Sequence, residues 1–219
     1  MIEKARRGAR WLVELSRWYG YRFGFLADRE AYDDEFWTFH HPGDWPGFAR
    51  LLLETFRPSV VVDVGCGDGK LLAAITAIAP HVSVAGFDGS PAALRRALAH
   101  GVPVTQVDLA ARSVPPALTT ALERCDLALC LETAEHLPPW YARGLVAALA
   151  RAPRVVFSGA QPGQGGRLHV NEQPPQYWVD LFAAEGLTPH ASEDAVRARL
   201  GALHLPSWYV ANLQVFDRP

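Results

Sequence analysis

The sequence predicts a doubly wound α/β fold, a mostly parallel sheet of seven strands with helices on both faces and a helical N-terminal extension. Three observations predict it. From residue 58 onward, strand and helix signals alternate. The strand signals are apolar throughout, the pattern of strands covered on both faces. A glycine-rich turn, Gly65-Cys66-Gly67-Asp68-Gly69, joins the first strand directly to a helix.

The elements follow in order. Ser59–Val64 is a short β-branched run, and Gly69–Ala79 has helical spacing. Val82–Phe87 is the second strand, with a helix from Pro91 to about His100. Pro103–Val107 is the third strand and Asp126–Leu131 the fourth. Trp140–Arg151 is a helix, Arg154–Ser158 the fifth strand, and Pro174–Glu185 a helix. Thr188–Ser192 and Trp208–Phe216 read as the last strands, with a helix at Glu193–Leu203 between them. Residues 1–55 form a helical and aromatic extension, a cap, on a body of residues 56–219. In the extension Trp11, Leu12, Leu15 and Trp18 share one helical face.

Composition narrows the function. The chain has 219 residues, 49% of them hydrophobic and 20% charged, enough for a full core and unlike a disordered chain. A net charge of −2 lacks the basic surplus of a general nucleic-acid binder. No apolar run reaches the roughly 20 residues of a membrane helix, and no signal-peptide core precedes the body. Cys66, Cys125 and Cys130 fit no disulfide framework or zinc pattern, which points to a reducing cytoplasm. Among 21 basic residues only Lys4 and Lys70 are not Arg, a codon bias of GC-rich bacteria.

The glycine turn discriminates among nucleotide sites. A P-loop would need glycine at 64 and Ser or Thr at 71, where Val64 and Leu71 stand. A dinucleotide fingerprint would need glycine at Lys70 or at Leu72. What remains is Asp63-x-Gly65-x-Gly67-x-Gly69. This string resembles the first motif of the class I S-adenosylmethionine-dependent methyltransferases, a Rossmann-like family, and the resemblance runs from about Pro58 to Arg218. It implies S-adenosyl-L-methionine as cofactor. The implied cofactor residues are Asp63, Gly65, Cys66 and Gly67 on the loop, and Asp88, Gly89 and Ser90 at the ribose. Asp108 and Leu109 fall at the adenine and Leu131 near the methionine.

Glu132-x-x-Glu135-His136 follows the fourth strand, and His169 follows the fifth. A helical turn starting at Glu132 would put 132, 135 and 136 on one face. Two carboxylates and two imidazoles form a candidate site for a divalent metal of the Mg, Mn or Fe type. The string is similar to that of metal-assisted O-methyltransferases, including small-RNA 2′-O-methyltransferases, although those carry a histidine pair where this chain has His136 alone. The alternative is a metal-free site in which His136 or His169, with Glu132, removes or holds the acceptor proton. Trp37, His40, His41 and Asn171 are the candidate acceptor-binding residues, and the glycine-rich stretch Pro162–His169 is a candidate lid. The expectation is methyl transfer to a hydroxyl of a small molecule such as a bacterial natural product or sugar. Metal-independent N- or O-transfer and RNA 2′-O-transfer are the alternatives. Oligomeric state is not legible.

Overall fold

The computed structural model describes residues 32–39, 43–111 and 113–219. The face at Trp11–Trp18 and the candidates His40 and His41 lie outside the described residues. The elements are α1 (Asp34–Phe39), α2 (Trp45–Phe56), β1 (Val60–Val64), α3 (Lys70–Ile78), β2 (Ser83–Asp88) and α4 (Pro91–Ala99). β3 (Val104–Gln106), α5 (Pro116–Arg124), β4 (Leu127–Leu131), α6 (Ala142–Leu149) and β5 (Arg154–Ser158) follow. α7 (Pro175–Ala184), β6 (Thr188–Pro189), α8 (Glu193–Leu200), α9 (Ser207–Asn212) and β7 (Gln214–Asp217) complete the chain.

The seven strands form one sheet in the order β3-β2-β1-β4-β5-β7-β6. β7 alone runs antiparallel to its neighbours. β1 pairs in parallel with both β2 and β4, so the strand order reverses beside β1. In open α/β sheets the ligand crevice lies at such a reversal, off the carboxyl ends of the strands.

The period-2 geometry of the strands divides the core into two layers. Val62, Ala128, Cys130, Val155, Phe157 and Phe216 meet α5, α6 and α7 on one face. Val61, Leu127, Leu129, Val156 and Val215 meet α2, α3 and α8 on the other. α2 begins at Asp44, whose carboxylate accepts from Gly47 N at 2.8 Å, and buries Phe48, Leu51 and Leu52 in the second layer. The stretch assigned to the extension by its sequence therefore supplies part of the core.

Three local readings need correction. The aromatic run after Pro206 reads as strand, but α9 occupies Ser207–Asn212 and β7 begins only at Gln214. Tertiary contact decides this: Tyr209 is buried edge-on against Trp45 with ring centroids 5.7 Å apart. α5 is a helix that sequence analysis did not predict. Pro116 sits in its first turn, and Leu118 and Leu122, four apart, fill the core. The single helical turn after β4 starts at Ala134, not Glu132.

Candidate active site

The loop after β1 is held by the strand beside it. Gly65 N and Cys66 N both donate to Phe87 O, at 2.7 and 3.1 Å. Gly67 N donates to Asp88 Oδ2 at 2.9 Å, and Ser90 N to Asp88 Oδ1 at 2.8 Å. Asp88 thus ties the glycine loop to the start of α4. Gly65 and Gly67 take φ of +80° and +55°. A Cβ on Gly65 would run into the Thr133 side chain, and one on Gly67 would meet the Trp37 ring at 2.6 Å. Conformation and space both require glycine there.

Above this loop lies a cavity of about 410 Å³. Asp88, Gly89, Ser90, Asp108 and Leu109 line one side and Thr133, His136 and Leu137 the other. A smaller pocket of about 90 Å³ is lined by Asp63, Cys66, Gly67, Lys70, Leu131 and Tyr209. Trp37, Gly65 and Glu132 border both. Trp37 is buried, and its Nε1 donates to Tyr32 O at 3.0 Å and Ser90 Oγ at 3.3 Å. Asp63 Oδ1 is buried with no hydrogen-bond partner among the described residues. Burial, and secondarily the Asp88 charge, pushes its pKa up to about 7. Burial also raises Asp88, against the backbone N–H groups of Ser90, Gly67 and Gly89 that favour its charge. The Cys66 thiol is pushed well up by burial, so it serves as packing against Gly86.

The second half of the site sits at the tips of β4 and β5. Glu132 N donates to Ser158 O and Oγ, each at 3.0 Å, and Glu132 takes φ +48°. Its carboxylate lies near that of Glu135 in the helical turn that follows. Asn212 Nδ2 donates to both Glu132 oxygens, at 3.0 and 3.2 Å, and Gln164 Nε2 to one of them at 3.2 Å. Glu135 O accepts from Val170 N at 2.9 Å and Asn171 N at 3.0 Å. Those two bonds lay the loop after β5 against the turn and bring His169 to His136, with ring centroids 4.9 Å apart.

Glu135, His136 and His169 form the one group of three potential metal-ligating side chains found among the described residues. One ligand atom from each lies within 4.8 Å of the others. Glu132, expected as a fourth member, is not in it; its carboxylate oxygens accept from Asn212 and Gln164 instead. Glu135 is fully buried, and neither carboxylate oxygen makes a hydrogen bond of normal geometry among the described residues. Burial, then the Glu132 charge, holds its pKa well above the carboxylate range, against the nearby backbone N–H groups of Glu135 and Ala160. Burial, then neighbouring His169, lowers His136 to about 3, against the carbonyls of Leu168 and Arg167. His169 Nδ1 is 3.1 Å from Glu172 Oε1.

The acceptor candidates part company here. Trp37 borders both pockets. Asn171 is buried, with its amide donating to Ala134 O at 3.3 Å and accepting from Gln173, so it frames the turn. The Pro162–His169 stretch is tied down: Glu172 accepts from Gly163 N at 2.8 Å and Gly165 N at 2.7 Å. Sequence reasoning missed Tyr32, Phe36, Thr133, Glu172, Tyr209 and Asn212. Only Glu172 carried a signal, an acid close to a run of glycines whose amides need an acceptor.

The model of a methyltransferase domain family matches residues 40–196, well over half of the chain. The chain belongs to the class I S-adenosylmethionine-dependent methyltransferases. This methyltransferase shares its fold with the sugar N-methyltransferase KedS8 from Streptoalloteichus sp ATCC 53650, at TM-score 0.56 and 18% identity over 80% of this chain and 88% of that one. It is similar to CalS10, an amino pentose methyltransferase from Micromonospora echinaspora, at TM-score 0.57 and 19% identity over 80% and 92%. Streptomyces venezuelae DesVI aligns at TM-score 0.59 and 14% identity over 89% and 99%. No curated protein sequence matches. The Rossmann-like sheet and the cofactor class therefore stand as expected. Among the described residues of this methyltransferase, no helix is long and apolar enough to cross a membrane.

Proposed function

We propose that this methyltransferase transfers the methyl group to a hydroxyl of a small molecule, assisted by a divalent cation of the Mg, Mn or Fe type at Glu135, His136 and His169. Glu135 carries the proposal: a carboxyl sealed from water, with no hydrogen bond of normal geometry among the described residues, beside two imidazoles. Buried polar groups are almost always satisfied, and an uncompensated buried carboxylate is costly. One carboxylate and two neutral imidazoles suit such an ion. The low pKa of His136 keeps it in the neutral form that ligates. A bound cation would polarise the acceptor oxygen and lower its pKa, the requirement of O-methylation.

The remaining work falls to the chain. Asp88 and Asp108 hold the ribose and adenine of the cofactor, and Asp63 accepts from its ammonium in the smaller pocket. Leu131, Gly65 and the adjoining Glu132 position the sulfonium end. Glu172 orients the His169 ring through Nδ1, as second-layer carboxylates do in metal sites. Trp37 closes the cavity against water, so methyl and acceptor meet in line. One structural neighbour is named a sugar N-methyltransferase and another an amino pentose methyltransferase, so amino sugars belong in the substrate screen beside hydroxylated sugars and aromatics.

The test is metal analysis with and without Glu135→Gln, together with turnover in chelator. Burial already favours the neutral carboxyl, so glutamine should keep the fold while removing the ligand charge. The expected results are about one bound ion per parent chain, none in the variant, and loss of turnover in chelator restored by Mg²⁺ or Mn²⁺. Full turnover of a metal-free sample would overturn the cation. It would leave His169, backed by Glu172, as the general base.

A further inference from the structure

Tyr32 touches both halves of the site. Its hydroxyl lies 2.8 Å from His136 Nδ1 and donates to Arg167 O at 3.2 Å. A phenol has one proton to donate, and a carbonyl can only accept. With the proton directed to Arg167 O, the contact to His136 is satisfied only when the ring supplies the hydrogen from Nδ1. We infer that Tyr32 is a positioning residue that fixes His136 as the Nδ1–H tautomer and so leaves the ring's one lone pair on Nε2. A neutral imidazole whose Nδ1–H is engaged presents one lone pair in one direction, the arrangement a ligand or a proton acceptor needs.

The backbone of the same residue is fixed at the cofactor end. Ser90 Oγ donates to Tyr32 O at 2.7 Å, and Trp37 Nε1 donates to it at 3.0 Å. Ser90 N is itself held by Asp88. The donor count at Ser90 closes: its one hydroxyl proton goes to Tyr32 O, while its oxygen accepts from Trp37 Nε1 and Ala93 N. Asp34, two residues on, pairs with Arg95 at 2.6 Å and with Arg96 at 3.5 Å, which pins α1 to α4. The edge of the Tyr32 ring packs on Phe36, with centroids 4.9 Å apart. Tyr32 thus bridges the turn that receives the ribose and the histidine that faces the acceptor. A cofactor that tightens the Asp88–Ser90 turn would secure the orientation of His136 before the acceptor enters.

The consequence for catalysis rests on the role proposed above for His136, but the measurement does not. Protein with ¹⁵N-labelled histidine is treated with chelator, and the ring nitrogens are read by NMR, with His136→Gln used to assign the signal. The Nδ1–H form gives a pyrrole-type Nδ1 and a pyridine-type Nε2. The expected result is that pattern in the parent and a shift of population toward Nε2–H in Tyr32→Phe. Kinetically, Tyr32→Phe should lower kcat about tenfold, the value of one hydrogen bond, with KM for the cofactor within about twofold of the parent. A parent spectrum with Nε2–H, or a tautomer unmoved by Tyr32→Phe, overturns the inference. The parent spectrum decides even if the variant does not fold. If the tautomer shifts as expected while chelator leaves turnover intact, the cation falls and the positioning role stands.

Discussion

One substitution can separate two roles of Asp88, an expected hold on the ribose and an observed brace of the glycine loop. The resemblance predicts a ribose ligand; the structure adds a brace, because the carboxylate accepts from Gly67 N and Ser90 N at 2.9 and 2.8 Å. Asp88→Ala strands both amides beside the cavity. An unpaired buried N–H costs about 1–3 kcal/mol, and water entering the open cleft recovers part of it, so a loss of roughly 2–3 kcal/mol in stability is expected. For a domain of this size that corresponds to about 4–12 °C in Tm. Loss of the ribose hydrogen bonds to a charged group removes a further ~1.5–3 kcal/mol from binding, about 10- to 150-fold in affinity for S-adenosylhomocysteine. Asp88→Asn should fall between: its oxygen still serves one amide, while its NH₂ opposes the other. Thermal denaturation without ligand measures the brace, and calorimetric titration well below Tm measures the ribose contact. An Asp88→Ala variant with parental Tm would refute the brace, and affinity within twofold of the parent would refute the ribose assignment.

Two further outcomes follow from buried carboxyls. Asp63, raised from 3.8 to about 7 by burial and Asp88, favours the protonated folded state. Its contribution to stability of the cofactor-free protein is therefore full below pH ~4 and is lost as pH rises through about 7, a span worth roughly 4 kcal/mol. Binding an ammonium needs the ionised form, so cofactor affinity should rise with pH up to about 7 and then level, and Asp63→Asn should flatten that slope in calorimetry between pH 5.5 and 8. Equal slopes in parent and variant would contradict the assignment. Glu172→Gln should leave one of Gly163 N and Gly165 N without its acceptor, since glutamine keeps a single oxygen, raise amide exchange of that loop about tenfold, and slow turnover by weakening the hold on His169. Unchanged exchange would mean that Gln164, on Glu132 and Asn212, holds the loop alone.

The glycine loop and the acid that braces it were legible because their requirements are local. Positive φ at Gly65, Gly67 and Gly69, and acids that follow strands, are written in short windows around 63–69, 88–90 and 108. The strands were legible for the same reason, apart from Trp208–Val210, whose β-branched and aromatic character was overruled by packing of Tyr209 on Trp45. The acceptor half is different in kind. It joins Tyr32, the turn at Glu135 and His136, the loop at His169 and Glu172, and Asn212 at the end of α9. No local window contains two of these segments. The E-x-x-E-H spacing suggested that Glu132 and Glu135 act together, and their carboxyls are neighbours, but their partners differ: Glu132 accepts from Asn212 and Gln164, while Glu135 stays sealed beside the imidazoles. The backbone at Glu132 is left-handed. A non-glycine residue in that conformation costs of order 1 kcal/mol or more and persists only where its surroundings hold it. The bonds from Glu132 N to Ser158 and from Asn212 to the carboxylate supply that hold. The strain is thus placed at the junction of the two pockets, where Glu132 lies beside Glu135 and its charge raises that carboxyl. Asn212→Ala would remove two donors from Glu132, so the pair should hold one proton more readily between them, read as a shift of carboxyl titration to higher pH.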